Sequence, residues 1–452
     1  MRIVLLTPGT GSFYCGTCIR DNALAVALRK QGHDALMIPL YLPPALDEAA
    51  ASENAPLFYG GINVYLQQKA ALFRHTPRWA DRFFDTPPLL KTAARRAGMT
   101  QAHDLGDLTV SMLRGEDGRQ VKELDRLVEW LAADAKPDVV CLSNALLMGL
   151  ARRIKTETGA LVACTLQGED TFLDSLPPKD AESAWQTLAE RAGDVDAFIA
   201  VSQYHADLMT KRANLTPEKV HVVYNGILLD GYPTEPTPPT VPTLGYLARM
   251  CPPKGLETLV EAFILLRRNN RIPGLRLRVA GAQTEGDILY VARLQSSLSE
   301  AGLGDQAEFL PNISREEKIG FLQSLSVLSV PATYGESFGL YVIEALAAGV
   351  PVVQPRHAVF PELLAQTGGG LLCDADKPDS LAAAIEQLLY VPGRAQALGQ
   401  EGQRNVRAKF SVDEMARNTA AVFTRARAEA GQSAASPQES GKEKAAWAAD
   451  RQ

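Results

Sequence analysis

A chain of 452 residues is too long for one ordinary domain and fits two α/β domains of about 200 residues each with a tail. Apolar residues make up 46% and charged residues 22%, and a net charge of −6 carries no electrostatic footprint of a nucleic-acid partner. The first residues lack the basic flank and long apolar run of a secretory signal, no apolar stretch is long enough to span a bilayer, and six cysteines are no disulfide framework for so large a chain, so a reducing, cytoplasmic setting is expected.

In chain order, IVLLT (3–7) reads as a buried strand, NALAVALRKQGHD (22–34) as a helix ending near Gly32, and ALMIPL (35–40) as a second strand. Between them, TPGTGSFYCGTCIRDN (7–22) carries Gly9, Thr10 and Gly11, where glycines let a ligand approach the first helix, and the pair Cys15/Cys18. A CxxC at a helix start would have a lowered thiol pKa, which raises a thiol-disulfide reading; zinc would need a second ligand pair that the sequence lacks. From Lys69 to Arg96, seven Lys/Arg and two Asp alternate with Phe73, Trp79, Phe83 and Phe84. Such a stretch fits either peripheral contact with an anionic membrane or a solvated helix packing its aromatics inward. DVVCLS, LVACTL, AFIAVS and HVVYN continue the strand series to Asn225, and near-continuous apolar strands between helices indicate a parallel sheet covered on both faces.

YPTEPTPPTVP (232–242) can continue neither a helix nor a central strand and marks a linker between a domain over 1–231 and one over 243–410. After it the pattern restarts, with strands TLGYLA, LRLRVAG, VLSVPA, VPVVQP and GGLLC and the helix LETLVEAFILLRR. A C-terminal helix is expected over 411–430, packing back toward the first domain, and the Ser/Ala/Gln/Glu/Lys composition of 431–452 reads as a disordered tail.

The chemistry concentrates in ESFGLYVIEALAAGVPVV (336–353). A helix starting around Phe338 to Leu340 and ended by Gly349 and Pro351 offers free N–H groups and a positive dipole end to an anion. Glu344 has Tyr341, Leu340, Ala347 and Ala348 as helical neighbours, so it is either a carboxylate satisfied by a ribose diol or one facing solvent at a domain seam. Glu336, in the loop before the helix, is placed to reach a sugar hydroxyl. Arg249 follows the strand TLGYLA, and Lys254 precedes Gly255 and a helix. A lysine at a helix N-terminus opposes the dipole unless an anion lies between them; the other reading is two solvated surface charges. The triplets Asp194-Val-Asp196 and Asp374-Ala-Asp376 look like turn and capping chemistry, so no metal site is expected.

Two glutamates separated by seven intervening residues, with Phe-Gly between them and Ala-x-Gly-x-Pro-Val behind, resemble the signature of the family 4 retaining glycosyltransferases (glycosyl transferases group 1), and the resemblance extends to about Arg427. It implies the GT-B fold: α/β, two Rossmann-like doubly wound domains facing each other across a cleft. It implies transfer of a sugar from a nucleoside diphosphate sugar, as co-substrate and with no other cofactor, to a carbohydrate, lipid or small-molecule acceptor with retention at the anomeric carbon. On this resemblance Glu344 binds ribose, Glu336 the donor sugar, the amides of Ser337, Phe338, Gly339 and Leu340 the sugar and phosphate, and Arg249 and Lys254 the diphosphate. The acceptor region is implied near Gly9, Thr10 and Gly11.

Two departures matter. Where the family commonly has Thr-x-His-Gly, this chain has Gln167, which can position a sugar but cannot act as general base, and Asp170 becomes a candidate acceptor contact. His357 and Ala358 replace two glycines that often precede Pro-Glu. The rival readings are a catalytically silent sugar-nucleotide binding protein, suggested by Gln167, and a redox protein built on Cys15 and Cys18.

Overall fold

The computed structural model describes residues 1–9, 16–42, 58–59, 64, 67–68 and 102–435. The basic aromatic region at 69–96, Thr10, Gly11, Cys15 and residues 436–452 lie outside them.

The first half supplies β1 (Arg2–Thr7), α1 (Gly16–Lys30), β2 (Asp34–Pro39), α2 (Ala102–Leu113), α3 (Val121–Trp130), β3 (Val139–Leu142) and α4 (Ala151–Thr158). It continues with β4 (Leu161–Leu166), α5 (Glu169–Asp174), α6 (Pro178–Arg191), β5 (Ala197–Ala200), α7 (Gln203–Arg212) and β6 (Val220–Val222). These strands form one parallel sheet in the order β2-β1-β3-β4-β5-β6. β3, β4 and β5 are buried at every position, which is why they read as unbroken apolar runs.

The second half supplies β7 (Thr243–Leu247), α8 (Leu256–Asn269), β8 (Arg276–Gly281), α9 (Ile288–Glu300), β9 (Ala307–Pro311), α10 (Arg315–Gln323) and β10 (Val327–Leu328). Then come α11 (Leu340–Ala347), β11 (Val352–Pro355), α12 (Phe360–Thr367), β12 (Gly370–Cys373), α13 (Pro378–Tyr390), α14 (Arg394–Lys409) and α15 (Val412–Ala435). Its parallel sheet runs β12-β11-β10-β7-β8-β9, so strand order reverses between β7 and β10. In doubly wound sheets ligands bind at the carboxyl ends of the strands at such a reversal. The loops holding Arg249, Lys254 and Glu336 leave from those two ends.

α8 shows how the elements arise. Leu256, Leu259, Val260, Phe263 and Leu266 recur at helical spacing and are buried, and the helix stops at Asn270, whose left-handed φ of 49° closes it. Three features differ from the sequence reading. AEFLP forms the edge strand β9, absent from that reading because its half-exposed side chains show no apolar run. The expected tail begins too early: α15 extends to Ala435, past the boundary at 430. The Pro-rich stretch is pinned on the second half, with Pro233 O accepting from Gln403 Nε2 at 2.8 Å and Arg407 Nη2 at 2.8 Å.

α15 lies against α1 and the first sheet, burying Val412, Met415, Ala416 and Phe423 among Leu24, Leu28 and Ile199. The chain therefore crosses between the halves twice. The crossings run side by side, Ile227 N donating to Phe410 O at 2.9 Å and Val412 N to Ile227 O at 3.0 Å.

Candidate functional site

Lys254 is the last residue of a short 3-10 turn, and Gly255, at φ 71°, turns the chain into α8. A Cβ at Gly255 would lie 1.8 Å from Pro331 O, so the loops after β7 and β10 pack backbone against backbone. This brings Lys254 Nζ to 2.6 Å from Glu336 Oε2, and the same oxygen accepts from Tyr334 Oη at 2.9 Å and Tyr341 Oη at 3.0 Å. Burial, reinforced by the Glu336 charge, pushes both phenols well above their ordinary range, so they act as donors. The ammonium also lies 4.9 Å from the Tyr334 ring centroid and 5.4 Å from that of Tyr341.

Arg249 shares the cleft but is held by a residue the sequence reading did not single out. Its Nε and Nη2 bond the two oxygens of Asp287 at 3.1 and 3.2 Å, and Nη2 reaches Thr284 Oγ1 at 3.3 Å. Its side chain is still 53% exposed, leaving the guanidinium an open edge toward the cleft. The cavity is about 460 Å³ and is lined by Arg249, Lys254, Tyr334 and Glu336 from one domain and by Gln167, Thr171 and Phe172 from the other.

Gln167 lines this cavity, yet its side-chain Nε2 donates to Ser143 O at 2.7 Å inside its own domain. Its carbonyl accepts from Ser337 Oγ at 3.1 Å, and Ser337 O accepts from Ser202 Oγ at 2.7 Å, so Ser337 joins the domains. Gly168, at φ 110°, donates its N–H to His205 Nε2 at 3.0 Å. The same amide lies 3.0 Å from Glu169 Oε2, which is 3.4 Å from His205 Nε2, and the other ring nitrogen, Nδ1, lies 3.9 Å from Asp170 Oδ1. Asp170 is buried, its Oδ1 has no hydrogen-bond partner among the described residues, and desolvation raises its carboxyl pKa above 3.8.

Glu344 sits one helical turn beyond Leu340 on α11 and does not stand alone. Lys318 Nζ of α10 bonds its Oε1 at 2.7 Å, a partner 26 residues away that local spacing could not reveal. The carboxylate opens on a second interdomain cavity, lined also by Arg20, Gly226, Arg315 and Leu340. Phe338 packs as core beside Tyr224 and Phe410, leaving its backbone for the site. Gly339, the residue before α11, takes φ 78°. The first turns of α1 and α11 converge, a Cβ at Gly16 lying 3.7 Å from Leu340 Cδ1. Gly9 takes φ 68° and admits no side chain, since a Cβ would lie 1.7 Å from Leu42 O.

The other sequence candidates sit elsewhere. Cys18 is buried, 3.8 Å from Thr7 Oγ1. Asp194 bonds Arg152, and Asp196 caps the Val162 amide and pairs with Lys155. Asp376 stands at a left-handed turn position. His357 turns away from the cleft, its Nε2 bonding Ala332 O at 2.8 Å.

Two facing doubly wound domains, with strand-end loops meeting across a cleft of cations, carboxylates and helix N-termini, define a GT-B protein. The model described as Glycosyl transferases group 1 matches residues 233–405, and that described as Glycosyltransferase Family 4 matches residues 109–230. The chain belongs to this family, the group 1 glycosyltransferases of family 4 type. Among similar curated proteins is a D-inositol 3-phosphate glycosyltransferase of Mycobacteroides abscessus, 28% identical over 209 residues, or 44% of this chain and 46% of that one. Another of the same name, from Streptomyces bingchenggensis, is 28% identical over 261 residues, covering 54% and 56%. The chain thus spans about half the length of the curated relatives it matches. The fold is shared with sucrose-phosphate synthase from Thermosynechococcus elongatus, at TM-score 0.67 and 20% identity over 94% of this chain and 99% of that one. It is shared too with Anabaena HepE solved with UDP and glucose, at TM-score 0.63 and 15% identity over 94% and 99%.

Proposed function

We propose that the protein transfers a hexose from a nucleoside diphosphate sugar to a carbohydrate or lipid acceptor in the interdomain cleft, with retention at the anomeric carbon. The observation that carries this reading is the Lys254–Glu336 pair with Arg249 beside it, facing Gln167 across one cavity, with Ser337 tied to the Gln167 carbonyl. The names of the relatives and the UDP and glucose held by the neighbour support the donor class.

In this reading Lys254, the open edge of Arg249 and the N-terminus of α11 stabilise the charge that develops on the leaving diphosphate. Glu336 fixes the Lys254 ammonium and takes a donor-sugar hydroxyl, while Glu344 takes the ribose diol. Gln167 orients the sugar, and the departing phosphate oxygen receives the acceptor proton on the face it leaves, which accounts for retention without a side-chain base. The protein groups carry the charge without a metal, so activity is expected to persist in EDTA. We propose a cytoplasmic setting for the reaction.

A thermal-shift panel of UDP, GDP and ADP sugars is the direct test. A bound ligand at 100 times its dissociation constant should add about 2.7 kcal/mol. No shift with any of them overturns the donor-site reading. Gln167, its amide already engaged by Ser143, favours a silent sugar-nucleotide binder as second reading. Turnover of any donor with an anomerically retained product rejects that alternative.

A further inference from the structure

The cavity at Glu344 receives a side chain from the opposite domain. Arg20, on α1, is 3% exposed and lines that cavity with Leu340, Glu344 and Lys318. Two of its three guanidinium nitrogens are fixed by its own domain: Nε donates to Asn225 Oδ1 at 3.2 Å and Nη1 to Asp21 Oδ1 at 2.8 Å. Asp21 is itself anchored by the Ser143 hydroxyl at the end of β3. The third nitrogen, Nη2, is buried and has no hydrogen-bond partner among the described residues. A strut between Asp21 and Asn225 needs only Nε and Nη1. An unmade bond from a buried cation is costly, so the free Nη2 calls for an oxygen acceptor in the cavity.

We infer that Arg20 is a donor-binding residue supplied by the acceptor domain, its Nη2 donating to a hydroxyl oxygen of the ribose whose hydrogens Glu344 accepts. This rests on the donor-site reading above and deepens it. The chemistry is complementary: a carboxylate only accepts, a guanidinium only donates, and each hydroxyl of a cis diol can do both at once. Lys318 already occupies Glu344 Oε1, which leaves the rest of the carboxylate and the Arg20 edge for the sugar. Because Arg20 and Glu344 belong to different domains, the ribose site is complete only when the domains are closed.

The test is a cycle between residue and ligand hydroxyl, read by titration calorimetry. The ligands are whichever of UDP, GDP and ADP the wild type binds most tightly, with its 2′-deoxy and 3′-deoxy forms. The proteins are wild type, Arg20→Lys, and Glu344→Gln as a control. Wild type should lose roughly tenfold or more for one deoxy form, the loss of a charged hydrogen bond. Arg20→Lys should bind the parent diphosphate weakly and treat it and that deoxy form alike within about twofold. If Arg20→Lys fails to fold, the paired change Arg20→Met with Asp21→Asn removes the buried ions together and serves in its place. An Arg20 variant that keeps the wild-type ratio for both deoxy forms overturns the inference, while Glu344→Gln losing it leaves the donor site standing. Wild type binding none of the three diphosphates overturns the donor-site reading itself.

Discussion

Glu336 receives three donors on one oxygen, two of them phenols that burial keeps protonated. Lys254 is the only cation of that group, so Lys254→Met should leave a folded protein whose tyrosines still bond Glu336. It should lower kcat by about 10² and weaken diphosphate binding, with nucleoside binding unchanged, as steady-state kinetics and calorimetry would read. An equal loss for the nucleoside would move Lys254 away from the phosphates. Asp170 is the opposite case, a carboxyl held at a cost beneath the cleft floor. Its pKa is raised by desolvation, so its charged form is destabilising in the folded state; that penalty is complete above the folded pKa and vanishes as pH falls below 3.8. Asp170→Asn should therefore raise stability at pH 7 by about 1 kcal/mol, the gain shrinking as the pH of the unfolding experiment is lowered toward 4. A pH-independent gain would show that the carboxyl charge is not its source. Sequence legibility divides along this line. Glu344 and Lys254 stood out because their neighbours made them anomalous, and Glu336 and Arg249 through the family resemblance, whereas Tyr334, Asp287, Lys318 and His205 look ordinary locally and gain their partners through contacts 26 to 80 residues away.

The elements were legible where one physical signal dominated. Buried parallel strands such as β4 are apolar throughout, and α8 has unmixed helical spacing with a left-handed stop. β9 was not legible, because an edge strand with half-exposed residues presents neither a run nor a clean alternation. The turn entering α12 shows a different limit: the sequence marked His357-Ala358 as unusual but not which residue bears the consequence. Ala358 does, with φ 51°, while His357 is satisfied by Ala332 O. A left-handed non-glycine residue costs about 1–2 kcal/mol, of which the extra freedom of an unfolded glycine returns part. Ala358→Gly should accordingly stabilise the protein by about 0.5 kcal/mol, measurable as a rise in unfolding midpoint in urea. A fall in the midpoint would mean that the Ala358 methyl packing outweighs its backbone strain.

At the scale of the whole molecule, the two chain crossings form a hydrogen-bonded pair at 227 and 410–412, α15 packs on the first sheet, and further interdomain contacts lie across the cleft. Glu362 is the most directional of these. Its two carboxylate oxygens accept from Gln203 N at 2.8 Å and Tyr204 N at 2.9 Å, capping the N-terminus of α7 from the other domain. Tyr224 also bonds it, and burial together with this contact pushes that phenol up to about 12. Charge-assisted bonds to free helix amides are worth about 2 kcal/mol when buried; Glu362 is half-exposed, and about 1 kcal/mol, or fivefold in the closed population, is the fitting scale. Both the cavity at Glu336 and the cavity at Glu344 are lined from both domains, so a ligand that binds the closed form must share that shift. Glu362→Ala should therefore weaken nucleoside diphosphate binding by about fivefold without touching the ligand, and should speed hydrogen exchange at the Gln203 and Tyr204 amides. Faster exchange at those amides with unchanged affinity would mean that Glu362 caps α7 without contributing to closure, and the closing energy would then rest on Ser337 and the aromatic packing of Tyr224, Phe338 and Phe410.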